Sequence, residues 1–168
     1  MKIGITCSCF DLFHAGHVLM LEEAKQQCDH LIVALQTDPT IDRPEKNKPV
    51  QTVYERYVQL KGCQYVDEII PYSTEEDLLN LLTTVDYDVR ILGEEYRIKT
   101  FTGKHLDKEY YYNTRPHMYS STELRKRIES RNNNWPTLWG KKWFTTLFGF
   151  LWKILWWNIF SCYWFCRN

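Results

Sequence analysis

The run Leu31-Ile32-Val33-Ala34-Leu35 offers no polar side chain to water on either face. A strand of that kind must be covered on both sides, which is the environment of a parallel sheet flanked by helices and not of a half-solvated antiparallel one. The flanking sequence agrees. Lys2–Thr6 is a short run rich in β-branched residues, and Val18–Gln27 sets Leu19, Leu21 and Ala24 among charged positions at helical spacing, so a βα unit leads into the His30–Leu35 strand. Thr52–Glu55, Ser73–Glu76 and Ser120–Glu123 each fit the Ser/Thr-x-x-Glu capping box and predict three further helix starts. Between these helices Asp67–Ile70, Val89–Leu92 and Glu109–Tyr112 are short and apolar or aromatic enough for strands. The resulting order, βαβαβαββα, predicts an α/β fold with a Rossmann-like, doubly wound parallel sheet and right-handed crossovers. Such sheets take ligands at the carboxyl ends of the strands where the winding reverses, which points to the end of the first strand.

With 168 residues there is room for one such domain and an appendage. Lys plus Arg and Asp plus Glu are equal at 21 each, which argues against a nucleic-acid partner and for a small-molecule one. The six cysteines are scattered, and the Met1-Lys2-Ile3-Gly4-Ile5 start lacks the apolar run of a signal peptide; together they imply a cytoplasmic protein with free thiols. Composition changes near residue 131. Residues 1–131 are expected to form the domain, 132–140 (Asn-Asn-Asn-Trp-Pro at its start) a linker, and 141–168 an aromatic tail.

Cys9-Phe10-Asp11-Leu12-Phe13-His14-Ala15-Gly16-His17 follows the first strand directly and opens the first helix. Two histidines three apart can face one anion there, beside the unpaired N–H groups and the positive end of the helix dipole. Gly16 lets backbone approach a phosphate closely. Cys7 and Cys9 with His14 and His17 have the ligand types of a zinc site, but they lack its usual Cys-x-x-Cys spacing and Cys7 falls in a strand.

His14-Ala15-Gly16-His17, in its setting Phe-Asp-Leu-Phe-His-Ala-Gly-His-Val, resembles the HxGH signature of the cytidylyltransferase-like nucleotidyltransferases, and most of all that of the glycerol-3-phosphate cytidylyltransferases. Ser120-Ser121-Thr122, preceded by Arg115 and followed by Glu-Leu-Arg-Lys-Arg-Ile, is similar to the second motif of that family. The likeness runs from Lys2 to about Ser130 through the Lys46–Pro49 loop, Glu55-Arg56 and Leu92-Gly93-Glu94-Glu95. The resemblance implies transfer of CMP from CTP to a small phosphorylated alcohol, glycerol 3-phosphate being the nearest example, with release of pyrophosphate. An adenylyltransferase of the same fold, acting on a sugar phosphate or a pantetheine-like acceptor, is the alternative within enzymes, and a weakened nucleotide-binding module the alternative outside them.

By the same resemblance His14 and His17 stabilise the phosphorus under attack and the departing pyrophosphate, and Lys48 and Arg115 complete the catalytic set. Cys9, Phe10, Asp11, Gly16, Lys46, Arg56, Gly93, Glu94, Ser120, Ser121 and Thr122 are the implied nucleotide-binding residues. The family uses Mg²⁺ held mainly by the nucleotide phosphates and is often dimeric. Two departures stand out: Ser8-Cys9 where the family has Gly-Thr, and Arg115-Pro-His-Met-Tyr-Ser where it has Arg-Thr-x-Gly-Ile-Ser.

All seven tryptophans lie at or after Trp135, and the stretch from Trp143 to Cys166 carries a single charge, Lys153. As a helix it is long enough to cross a bilayer core, for which ~20 apolar residues suffice, and its aromatics equally suit the membrane interface. Membrane contact through residues 141–168 is the expectation, with packing against protein the alternative.

Overall fold

The computed structural model of the chain describes residues 1–114 and 116–133. The chain divides into two units, Met1–Lys126 and Arg127–Asn168. The first holds the whole sheet. Of the second, residues 127–133 belong to the last helix among the described residues, which runs to Asn133 and so takes in the first residues of the expected linker. The aromatic tail lies outside the described residues.

The elements appear in the expected order: β1 (Ile3–Ser8), α1 (Ala15–Lys25), β2 (His30–Gln36), α2 (Val53–Lys61), β3 (Glu68–Tyr72), α3 (Glu75–Thr84), β4 (Val89–Gly93), β5 (Glu109–Asn113) and α4 (Ser121–Asn133). A 3-10 turn at Glu94–Arg97 follows β4. The five strands are all parallel in the order β3-β2-β1-β4-β5, so the winding reverses between β1 and β4. Helix α1 starts three residues earlier than the apolar periodicity indicates, because its first turn is made of the polar His-Ala-Gly-His segment, which hydrophobic spacing cannot register.

One of the capping boxes differs in detail. Thr52 and Glu55 bond each other's backbone N–H as expected. The second box is displaced by one residue: Thr74 caps α3, accepting from Asp77 N at 3.0 Å while Asp77 accepts from Thr74 N at 2.9 Å. Ser73 is engaged elsewhere, its hydroxyl accepting from Thr37 Oγ1 at 2.9 Å.

Side chains alternate across the sheet into two cores. Leu31, Val33, Leu35 and Ile91 pack with Leu21, Ala24 and Leu60 on the α1–α2 side, whereas Ile5, Ile32, Ala34 and Tyr72 pack with Leu78 and Leu82 on the α3 side. On the α3 side each row turns polar toward the carboxyl end. Cys7 follows Ile5, Gln36 follows Ala34, and Arg90 stands opposite Ile5 in the β1–β4 register. That change of character marks the rim of the sheet as a place where something other than core is built.

Candidate active site

A cavity of about 690 Å³ opens at the carboxyl ends of β1 and β4, the point of reversed winding. Its first wall is the β1–α1 loop. Phe10 and Leu12 both have φ of 51°, the left-handed region that costs a non-glycine residue about 1–3 kcal/mol. Asp11 between them holds the loop in that shape. Its Oδ1 accepts from Val50 N and Gln51 N at 3.0 Å each, its Oδ2 from Arg125 Nη2 at 2.5 Å, and its carbonyl from Ser121 Oγ at 2.9 Å. The carboxylate therefore joins the first loop, the loop before α2 and the start of α4. It is buried and spent on that task, an orienting role and not a phosphate contact.

His14 is the N-cap of α1, and its Nδ1 accepts from Gly16 N at 3.0 Å. That bond assigns the proton of the neutral ring to Nε2, which stands 3.4 Å from Ser121 Oγ. His17 stacks on His14 with ring centroids 3.9 Å apart and planes 17° from parallel, backed by Phe13 at 5.6 Å and Phe10 at 5.3 Å. Both imidazoles thus face the cavity at one helix N-terminus. Gly16 fits because nothing larger does: a Cβ there would lie 2.9 Å from Cε1 of His14 and 2.9 Å from Cε1 of His117.

The second wall is the start of α4. Ser120 Oγ accepts from Glu123 N at 3.1 Å and caps the helix, and Ser121 and Thr122 in its first turn line the cavity. Gly93 and Glu94, at the end of β4, and Cys9 also line it. Cys9, in place of a hydroxyl, receives Arg56 Nη1 at 3.3 Å, and burial pushes its thiol pKa up, so it remains protonated.

Two expected residues stand differently. Arg56 is off the cavity: 1% exposed, it gives its N–H groups to the carbonyls of Cys9, Gln36, Thr37 and Gln51 and ties α2 to the ends of β1 and β2. Of the two loop lysines, Lys46 lines the cavity and Lys48 does not. The loop turns at Arg43, whose carbonyl accepts from Lys46 N at 2.9 Å, and that turn presents position 46. Arg115 lies outside the described residues.

Several residues on the cavity escaped sequence reasoning. Arg125, which falls in the Glu-Leu-Arg-Lys-Arg-Ile run after the second motif, is the partner of Asp11. His117 lies in the segment that departs from the family pattern, and its Nδ1 is buried without a partner. Asn113 is 3% exposed, its Nδ2 donating to Met20 O at 2.8 Å. Arg90 carried a legible signal, a charge inside the otherwise apolar Val89–Leu92 strand.

Residues 5–127 match the cytidylyltransferase-like family model. The chain is 37% identical over 111 residues to the bifunctional protein HldE of Caulobacter sp. (strain K31), covering 66% of this chain and 22% of that one. It is 32% identical over 134 residues to the bifunctional protein HldE of Campylobacter concisus, covering 79% of this chain and 28% of that one. The chain thus spans about a quarter of the length of these relatives. A crystal structure of a lipopolysaccharide core biosynthesis protein from Thermoplasma volcanium shares the fold, with a TM-score of 0.51 at 22% identity over 79% of this chain and 89% of that one. The reversal between β1 and β4, a stacked histidine pair at the first helix and a family match spanning most of the chain lead to one assignment: the chain belongs to the cytidylyltransferase-like family and is a nucleotidyltransferase.

Proposed function

We propose that the chain transfers CMP from CTP to a small phosphorylated alcohol, of which glycerol 3-phosphate is the first candidate, releasing pyrophosphate. The observation that carries this reading is the stacking of His14 on His17 at the N-terminus of α1, within 3.4 Å of the Ser121 hydroxyl at the N-terminus of α4. Two helix N-termini and two imidazoles around one space suit a triphosphate, whose charge they offset. An oxygen of the acceptor phosphate attacks the α-phosphorus, the bond from that phosphorus to the bridging oxygen breaks, and its electron pair leaves with pyrophosphate. The attacking group is already an anion, so the chain needs no general base. Its work is alignment and stabilisation of charge on the phosphorus and the leaving group, by the imidazoles and by the Ser121 and Thr122 groups.

Among the described residues no three His, Cys, Asp or Glu side chains are grouped to hold a metal ion, and Asp11 is fully engaged. This donor set fits a Mg²⁺ ion carried in on the nucleotide phosphates. Neutralising the departing pyrophosphate is the chemistry such an ion supplies when bound.

A second reading keeps the chemistry and changes the pair, with ATP as donor and a sugar phosphate or pantetheine-like compound as acceptor. It is motivated by Arg115-Pro-His-Met-Tyr-Ser, the departure from the Arg-Thr-x-Gly-Ile-Ser of the glycerol-3-phosphate cytidylyltransferases. Pyrophosphate release measured with CTP, ATP, UTP and GTP, each against glycerol 3-phosphate and a set of sugar phosphates, separates the two. CTP with glycerol 3-phosphate is the expected best pair. His17→Ala should lower its turnover on the order of 10²–10³-fold with an unchanged melting temperature. Absence of release with every pair would refute the enzymatic reading.

A further inference from the structure

The α3 side of the same cavity is walled by residues that the reading above leaves idle. Gln36 at the end of β2, Arg43 in the following loop and Arg90 in β4 all line it. Gln36 and Arg90 are 4% and 3% exposed. Each is held by some of its atoms and unsatisfied at another. The Gln36 amide oxygen accepts from Arg43 Nη2 at 3.0 Å; a guanidinium only donates, so this bond fixes the amide and leaves its nitrogen without an acceptor. Arg43 is also paired to Glu75 at 3.1 Å, and its Nε has no partner. Arg90 gives Nη1 to the carbonyl of Thr102 and lies 5.2 Å over the Phe101 ring, and its Nε likewise has none.

Charge on this wall is as lopsided as its hydrogen bonding. Arg43 is paired with one carboxylate, Glu75, which Thr102 Oγ1 also bonds. Arg90 makes no ion pair among the described residues. The adjacent Cys7 thiol is pushed up to about 11 by burial and so supplies no thiolate at neutral pH. Native proteins leave few buried donors unpaired, and three on one wall of one cavity call for a ligand with anionic oxygens.

Direction decides which ligand. In an in-line displacement the attacking and leaving oxygens lie on opposite sides of the phosphorus. The pyrophosphate departs toward His14, His17 and the start of α4, so the nucleophile arrives from the other side of β1, where Gln36, Arg43 and Arg90 stand. We propose that these three residues form the subsite for the acceptor's phosphate monoester, binding its non-attacking oxygens while the remaining oxygen points at the α-phosphorus. The subsite rests on the nucleotidyl-transfer reading for its role. Its residues position the acceptor and exchange no proton with it.

Steady-state kinetics with donor and acceptor varied separately give the first test, using Arg43→Gln at the cavity mouth and Arg90→Lys, which keeps the charge and loses the fork. The acceptor KM should rise about tenfold or more in each, with the nucleotide KM within about twofold of wild type. Equal rises in both constants, or a rise for the nucleotide alone, would overturn the proposal. Calorimetric titration of the wild-type chain with inorganic phosphate, after saturation with a non-reacting α,β-methylene nucleotide, needs no turnover. Binding that Arg43→Gln abolishes supports the subsite; absence of phosphate binding to wild type, or undiminished binding to the variant, overturns it. A chain that binds phosphate in this way and never releases pyrophosphate would keep the anion site and lose the transferase reading, so the two failures are distinguishable.

Discussion

A guanidinium can serve a nucleotide or the backbone, and the burial of Arg56 assigns it to the backbone. Its donors hold four main-chain carbonyls together at 1% exposure. Arg56→Met should therefore act on stability, lowering the unfolding free energy by about 3 kcal/mol or more through the carbonyls left unpaired, as read from the denaturant midpoint. The folded fraction should keep its nucleotide KM. A change in KM without loss of stability would return Arg56 to the binding set. Asp11 belongs with it: a buried carboxylate next to the histidine pair that sets two left-handed residues and anchors α4.

At the level of elements the N-caps give the sharpest expectation. Thr74→Ala should cost about 1 kcal/mol, because α3 then loses the hydroxyl that accepts from Asp77 N, whereas Glu76→Ala should be near neutral since Asp77 closes the box. Thermal melts of the two variants check the ordering. The same helix shows what was legible in the sequence. Its existence and its place between β3 and β4 followed from local patterning, but the choice of Thr74 over Ser73 depended on Thr37, 36 residues away, donating to Ser73. The sheet was legible in the same measure, since continuous apolar runs and capping boxes are local signals. The histidine pair was legible as a motif. Arg125, Arg43 and His117 were not, because their functional neighbours, at the ends of other strands, come together only through the crossovers. Lys48 is the lysine beside the proline of its loop, but the turn that presents Lys46 is closed by a backbone bond from Lys46 N to the Arg43 carbonyl, which composition does not encode.

For the molecule as a whole, no helix among the described residues is long and apolar enough to cross a membrane. The expectation of membrane contact concerns residues 141–168, and their sequence sets a plain test. Full-length chain mixed with vesicles containing anionic lipid should float with them, and chain ended at Asn133 should stay at the bottom of the gradient. Equal distribution of the two would remove the membrane role. The ion pair between Asp11 and Arg125 spans 114 positions, and this has a consequence for synthesis. A nascent chain emerging from the ribosome can pair β1 with β2 early, yet the loop that aims both imidazoles lacks its bonds to Ser121 and Arg125 until α4 is out. The half-made protein is thus expected to be inert toward triphosphates, and competence to arrive in one step, once α4 has been made.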